Sequence, residues 1–132
     1  MYEWLRDYQQ LEEEVSYVEF ELERYKNELK RWMGAGDLSG IQLHPDSRAS
    51  KLEDIIAATE YELAHKMNDL YNAKKLISKF KGLENKILYM KYVEGKTLTE
   101  TAYELGYTPG HIYNKHAQII KMINFAHHLN LS

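Results

Sequence analysis

The first quarter of the chain repeats apolar side chains at alternating steps of three and four residues. Charged side chains fill the positions between them, and the pattern lacks the period of two that a strand requires. It predicts one helix over residues 2–33 whose apolar stripe forms the heptad seam of a coiled coil. The seam positions are Met1, Trp4, Tyr8, Leu11, Val15, Val18, Leu22, Tyr25, Leu29 and Trp32.

A second seam follows after a gap that is rich in helix-breaking residues. The gap holds three glycines and a proline, which predict a loop over about residues 34–47. Beyond it, a second long helix is expected from residue 48 to Lys81. Its candidate N-terminal caps are a capping box of Ser50 with Glu53, or Asp46 or Ser47 alone. Its seam residues are Leu52, Ile56, Thr59, Leu63, Leu70, Ala73, Ile77 and Phe80.

Two helices of similar length joined by a short loop pack antiparallel, so residues 1–81 are expected to form a helical hairpin domain. In one interpretation the two seams only bury each other. In a second interpretation, compatible with the first, the same seam also pairs two chains, because two helices alone bury few side chains. The hairpin is then an oligomerisation domain and the protein a homodimer. Four aromatic residues lie off the main stripes: Tyr17, Phe20, Tyr61 and Tyr71.

The last third, residues 82–132, divides into three shorter helices with their own start and stop signals. The first is expected over residues 83–93, and the second ends at Leu105. The third begins at Pro109, where the missing N–H is not needed, and continues to about His128. The signals are Gly82 and Gly95, a capping box of Thr97 and Glu100, the turn residue Gly106 and the cap Thr108.

The second and third of these helices have the layout of a small helix-turn-helix module, which completes an all-α prediction. Ala102 lets the two helices approach and Gly106 makes the turn. The third helix turns three isoleucines, Ile112, Ile119 and Ile123, to the core. Its other face carries hydrogen-bonding side chains near the helix N-terminus, as reading of base edges in the major groove requires. The expected DNA-binding residues are Thr108, Gly110, His111, Tyr113, Asn114, Lys115, Gln118 and Lys121.

The charge of the chain is unevenly distributed. Residues 1–50 hold 6 basic and 11 acidic side chains, whereas residues 82–132 hold 5 basic and 4 acidic ones. The segment 105–132 has two lysines, four histidines and no acid. A polyanion such as double-stranded DNA is therefore expected to meet the chain at its C-terminal end.

Residues 87–112 resemble region 4 of sigma-70-type transcription factors without a gap. The family typically reads V-L-x-L-R-Y-x-E-G-L-S-x-x-E-I-A-x-x-L-G-x-S-x-G-T-V, and the likeness extends over about residues 83–123. It implies a helix-turn-helix that binds DNA through its second helix, and RNA polymerase as a further partner, because such modules dock on the polymerase. The matching residues are Tyr92, Glu94, Gly95, Glu100, Ala102, Leu105, Gly106, Gly110 and Ile112.

The whole layout resembles a narrower group, the phage-encoded transcriptional regulators of the ArpU and RinA type. These proteins join a helical N-terminal part to a region-4-like module and lack the other sigma regions. The resemblance implies control of late phage gene expression in the cytoplasm of a bacterial host. It also implies that the hairpin mediates oligomerisation.

Three residues depart from the sigma pattern. Thr101 and His116 stand where the family usually has apolar residues, and His116 is expected at the edge of the core, bonded to a backbone carbonyl. The recognition helix has a single lysine, Lys115, near the point where the family often has several basic residues. Because phosphate neutralisation supplies most non-specific affinity, the module alone should bind DNA weakly. A dimer, or RNA polymerase as partner, lowers the affinity that each module must supply.

The composition removes several other classes of function. The chain has 132 residues, a net charge of −3 and no cysteine, which excludes disulfides, thiolate metal sites and cysteine nucleophiles. We find no glycine-rich phosphate loop, no nucleophile elbow and no histidine pair at metal-binding spacing. The sequence also lacks a signal peptide pattern and the apolar run of about 20 residues that spans a membrane. We therefore expect no enzyme, no metal or other cofactor, no membrane partner and a cytoplasmic location.

Two other classes of function fit the same layout. A DNA-packaging adaptor, similar to a small terminase subunit, also joins a helix-turn-helix to a helical hairpin. A protein-binding module that acts on RNA polymerase or a host factor would suit the acidic hairpin. Specific promoter binding in solution separates a regulator from an adaptor, and ring-like assembly of many chains favours the adaptor.

Overall fold

The computed structural model describes residues 2–35 and 48–131, and within these ranges the chain forms only helices and turns. The all-α prediction is confirmed. No helix in the described part of the chain is long and apolar enough to cross a membrane. The elements are α1 (Tyr2–Arg6), α2 (Tyr8–Ala35), α3 (Arg48–Ser78), α4 (Gly82–Leu88), a π-helical segment (Tyr89–Val93), α5 (Leu98–Leu105) and α6 (Pro109–Leu131).

The prediction of one continuous helix over residues 2–33 is wrong at Asp7, which separates α1 from α2. Backbone hydrogen bonds still cross the break, from Asp7 N to Glu3 O at 3.0 Å and from Leu11 N to Asp7 O at 2.8 Å. Next to the break, the side chain that packs into the core is that of Leu5, which is fully buried, whereas Trp4 is only half-buried. The heptad seam assigned that role to Trp4.

The described residues of 13–68 form one of two compact units. Its buried side chains come from the seams of both long helices: Val15, Val18, Leu22, Ala49, Leu52 and Ile56. One ion pair joins Glu28 to Arg48 and another joins Glu14 to Lys66, each at 2.8 Å, so these parts of α2 and α3 run in opposite directions. Ion pairs as exposed as these add little stability. The buried apolar seam therefore provides most of the attraction within this unit.

The ends of α3 differ from the prediction. The helix begins at Arg48, so Ser50 and Glu53 lie inside it and the expected capping box is wrong. The alternative caps Asp46 and Ser47, like most of the predicted loop, fall outside the described residues. At the other end α3 stops at Ser78, three residues before Lys81, and nearby side chains satisfy its last carbonyls. Asn85 Nδ2 donates to Ile77 O at 3.0 Å, and Lys81 Nζ donates to Ser78 O at 3.2 Å.

The second compact unit combines the described residues of 1–12 and 69–132. This grouping differs from the predicted division at residue 81, which stays a prediction. Four segments supply the core: the N-terminal turns, the end of α3, the α4 and π-helical stretch, and the pair α5 and α6. The core residues are Leu5, Tyr8, Ala73, Ile77, Ile87, Leu88, Tyr92, Leu98, Ala102, Ile112, Ile119 and Ile123.

The predicted helix over residues 83–93 is present in two forms, α4 followed by the π-helical segment. In the second form Glu94 N donates to Tyr89 O at 3.0 Å, one residue further back than in an α-helix. Gly95 then has φ +75°, the left-handed conformation that the sequence predicted for it. This wider turn sets the position of Tyr92 on the segment, which becomes important at the candidate site.

Candidate nucleic-acid interface

The first helix of the pair, α5, begins with the capping box that the sequence predicted. Glu100 N donates to Thr97 Oγ1 at 3.0 Å, and Thr97 N donates to Glu100 Oε1 at 3.4 Å. Both groups satisfy backbone N–H donors that the first turn leaves free. The start of α5 is therefore determined by local sequence.

The turn between α5 and α6 depends on Gly106. Its φ is +77°, a value that L side chains rarely adopt, and Tyr107 N donates back to Ala102 O at 2.9 Å. Ala102 is completely buried at this point, as expected for a small residue between two close helices. The prediction that Gly106 makes the turn after α5 is confirmed, and the structure adds that its conformation is left-handed.

The second helix of the pair, α6, starts with Pro109 and is capped by Thr108. His111 N donates to Thr108 Oγ1 at 3.3 Å, which confirms the predicted cap. The helix continues to Leu131, three residues beyond the expected end. Gly110 and Thr108 are exposed, and a Cβ atom at Gly110 would meet nothing within 4 Å. The start of α6 is therefore open to an approaching ligand.

The inner face of α6 fixes the helix to the core. Ile112, Ile119 and Ile123 are 0, 1 and 2% exposed, as the sequence predicted. Thr101 on α5 is also fully buried, although the sigma pattern has an apolar residue there. Its hydroxyl donates to Thr97 O at 2.8 Å, so the departure leaves no unsatisfied polar group.

The outer face of α6 presents four of the predicted residues in one stripe. His111, Asn114, Gln118 and Lys121 are exposed and follow one another at steps of three, four and three residues. This stripe lies opposite the three isoleucines. Lys115 is half-buried and lies on the flank of the stripe, so it shares that face less fully than expected.

Tyr113 points away from the stripe. Its ring is half-exposed, and its hydroxyl lies 3.3 Å from Thr99 Oγ1 near the start of α5. The contact links the two helices of the pair through their outer surface. A role for Tyr113 in DNA contact stays a prediction.

Tyr107 is a residue of the site that the sequence reasoning missed. Its ring stacks on that of His111, with centroids 5.0 Å apart and an interplanar angle of 18°. Stacking holds the imidazole in one orientation at the start of α6. The signal in the sequence was the spacing of four residues between the two rings, at a helix start.

The charges around α6 favour an anionic ligand. No carboxylate of the described residues lies within ion-pair distance of Lys115 or Lys121. Lys96, in contrast, contacts Glu104 at 2.7 Å and Glu94 at 3.6 Å. These carboxylates raise the pKa of Lys96, chiefly through the hydrogen bond to Glu104. The charge of Lys96 is therefore largely compensated, and the two lysines of α6 are better placed for phosphates.

His116 lies at the edge of the core, but its expected backbone partner is wrong. Its Nε2 lies 2.6 Å from the hydroxyl of Tyr92, and the two rings stack with centroids 5.8 Å apart. Sequence periodicity cannot show this contact, because the π-helical turn determines where Tyr92 lies. Burial, with a smaller effect of Lys91, lowers the pKa of His116 below its ordinary value. The neutral ring can then accept a hydrogen bond from the Tyr92 hydroxyl.

This arrangement predicts a loss of stability in mild acid. The unfolded chain binds a proton on His116 at about pH 6.5, whereas the folded chain binds it only at lower pH. The contribution of His116 is thus complete above pH 6.5 and declines as the pH falls toward the lowered value. We expect urea unfolding between pH 7.5 and 5.0 to show a smaller decline in His116→Gln than in the parent chain. Equal declines in both proteins would contradict the assignment.

The described residues contain no group of three or more histidine, cysteine or acidic side chains placed to hold a metal ion. Comparison of the chain with protein-family models, with curated proteins and with solved structures gives no match. The function is therefore inferred from the geometry and charge of α5, the turn and α6.

Proposed function

We propose that this protein is a transcription regulator that reads duplex DNA with α6 of a helix-turn-helix. The observation that carries the proposal is the exposed polar stripe of α6, which begins in the first, exposed turn of the helix and lies opposite a buried apolar face. Side chains that donate and accept hydrogen bonds at that place suit the base edges of the major groove. The absence of acids from residue 105 to 132 removes repulsion of phosphates.

The resemblance to region 4 of sigma factors supports the same proposal. Two of its matching residues have structural roles at the turn: Ala102 is buried between the helices and Gly106 has the left-handed conformation. With the resemblance to ArpU- and RinA-type regulators, we propose that the protein controls late phage genes in the cytoplasm of a bacterial host. The mechanism is binding and recruitment, without a catalytic step.

The proposal includes a homodimer and RNA polymerase as partners. Two lysines on α6 can neutralise only a few phosphates per chain, and each neutralised phosphate contributes about −0.9 to the slope of log K against log salt. A dimer doubles these contacts. A polymerase that binds the regulator at the promoter lowers the affinity for DNA that the module needs.

A second candidate function, binding to protein alone, is favoured by one observation. Tyr103 on α5 is 90% exposed and Tyr107 in the turn is 45% exposed. Aromatic side chains are enriched at protein interfaces. In this alternative the outer surface of the pair α5 and α6 docks on RNA polymerase or a host factor, and DNA is not the ligand.

Selection of bound sequences from random duplex DNA distinguishes the two candidates. We expect the full chain to enrich one motif, in the form of an inverted repeat because the protein is proposed to be a dimer. A variant with Asn114 and Gln118 both changed to alanine serves as the control and should lose the enrichment. If the parent chain enriches no motif at low salt, the DNA-reading function is wrong.

A further inference from the structure

The outer side of α3 carries a second heptad stripe that nothing within the described chain covers. Its residues are Ala57, Tyr61, Ala64, Asn68 and Tyr71, at steps of four, three, four and three. All five are exposed, Tyr61 by 70% and Tyr71 by 62%. The buried seam of α3, with Leu52 and Ile56, lies on the other side of the helix. One helix therefore presents two heptad faces, whereas packing against a single partner helix needs only one.

We propose that this outer stripe pairs with the same stripe of a second copy, with the two α3 helices antiparallel. The inference deepens the proposed function, because it assigns a surface to the dimer on which that function depends. It differs from the pairing expected from the sequence, which used the seam that the structure buries within one chain.

The sizes of the side chains match in the antiparallel register. Tyr61 lies opposite Ala64 of the second copy, and Asn68 lies opposite Ala57 of the second copy. Tyr61 and Asn68 thus each meet an alanine, which allows close approach of the helices there, and the two-fold axis repeats each pair. The ring of Tyr61 also contacts His65 edge-on, with centroids 4.6 Å apart, so the two rings lie together on the helix surface.

The charges along the stripe favour the antiparallel direction. In this register Glu53 faces Lys74 of the second copy, and Asp54 comes to the hydroxyl of Tyr71 of the second copy. Parallel helices would instead place Asp54 against Asp54, and Lys75 against Lys75. Like charges at such positions are destabilising, and flanking charges commonly set helix orientation in coiled coils. A surface that matches itself in both size and charge points to a second copy of this chain as its occupant.

Introduced cysteines test the pairing directly, because the chain has no cysteine of its own. We expect an oxidised mixture of the single variants A57C and N68C to form a disulfide-linked dimer. Each variant alone should stay unlinked. In this register the two cysteines of one variant lie eleven residues apart along the helix axis, about 16 Å at 1.5 Å per residue. A disulfide requires Cα atoms within about 7 Å. Cross-linking of A57C alone would show a parallel pair, and an unlinked mixture would show that the stripe is not the contact.

A second measurement avoids dependence on thiol chemistry. Sedimentation equilibrium should show that Tyr61→Glu raises the dimer dissociation constant at least tenfold, while the equally exposed Tyr17→Glu on α2 leaves it unchanged. Both variants should keep the helical content of the parent, because each changes an exposed residue. If both or neither variant dissociates the dimer, the assignment to α3 is wrong.

The outcomes separate this inference from the proposed function. If the A57C–N68C link forms but no DNA motif is enriched, the dimer contact is supported and the regulatory function is wrong. If one motif is enriched but no such link forms, the regulatory function is supported and the assignment of this surface to the dimer is wrong. The same purified protein serves for both measurements.

Discussion

Replacing Ile119 with alanine is expected to lower the free energy of unfolding by about 2–5 kcal/mol, the range for removal of a buried isoleucine side chain. Ile119 is 1% exposed and belongs to the same core as Ile87, Leu88 and Ala102. The substitution removes three carbon atoms from a close-packed region that can collapse only in part. Urea unfolding at pH 7.5, followed by circular dichroism, measures the change.

Met122 provides the matched control on the same helix. It lies three residues further on and is 55% exposed, so Met122→Ala should change stability by no more than about 0.5 kcal/mol. A large loss in both variants would mean that the helix itself, and not its buried face, determines stability. Because Ile119 fixes the helix that carries the candidate site, its variant should also lose DNA binding in proportion to the fraction unfolded.

The pair α5 and α6 and the turn between them were largely predictable from sequence, because the signals that set them are local. Thr97 and Glu100 lie three residues apart, and the box that they form needs no distant contact. Gly106 and Thr108 act in the same way, through backbone conformation and a single hydrogen bond. Where a short segment supplies both donor and acceptor, the sequence alone determines the structure.

The features that the sequence did not predict depend on distant residues. The end of α3 at Ser78 is capped by the side chain of Asn85, which donates to Ile77 O from the next helix. The break at Asp7 accompanies burial of Leu5 in a core formed mainly by residues after 69. Heptad spacing reports the average direction of side chains along a helix. It contains no information about such contacts.

The candidate site shows the same division between local and distant causes. Periodicity located the exposed stripe of α6 and the buried isoleucines, since both follow from helical geometry. It did not show that Lys115 is half-buried or that Tyr92 contacts His116, because both depend on neighbouring helices. The residue that determines the second of these contacts lies in a π-helical turn, which no propensity predicts.

The side chains proposed to read DNA can be tested with two substitutions. Asn114→Ala and Gln118→Ala are each expected to weaken binding to the selected sequence about tenfold or more. An amide pairs bidentately with adenine in the major groove, and a good pair of this kind contributes about 1–3 kcal/mol of discrimination. Both residues are exposed, so folding should be unaffected. Competition binding against unrelated DNA measures the loss of specificity.

Two further variants determine whether the effect is one of base reading. Asn124→Ala removes the same side chain from the same helix, ten residues beyond Asn114, and should bind like the parent chain. Lys115→Ala should weaken binding to specific and unrelated DNA alike, and should reduce the salt slope by about 1, as loss of a phosphate contact does. If Asn114→Ala also weakens binding to specific and unrelated DNA equally, Asn114 contacts the DNA phosphate backbone and does not read a base. If both Asn114→Ala and Gln118→Ala bind DNA like the parent chain, the outer surface of α6 does not read bases and is assigned to a protein partner. Hydrogen-bonding groups that contact bases cannot be removed without loss of discrimination between sequences.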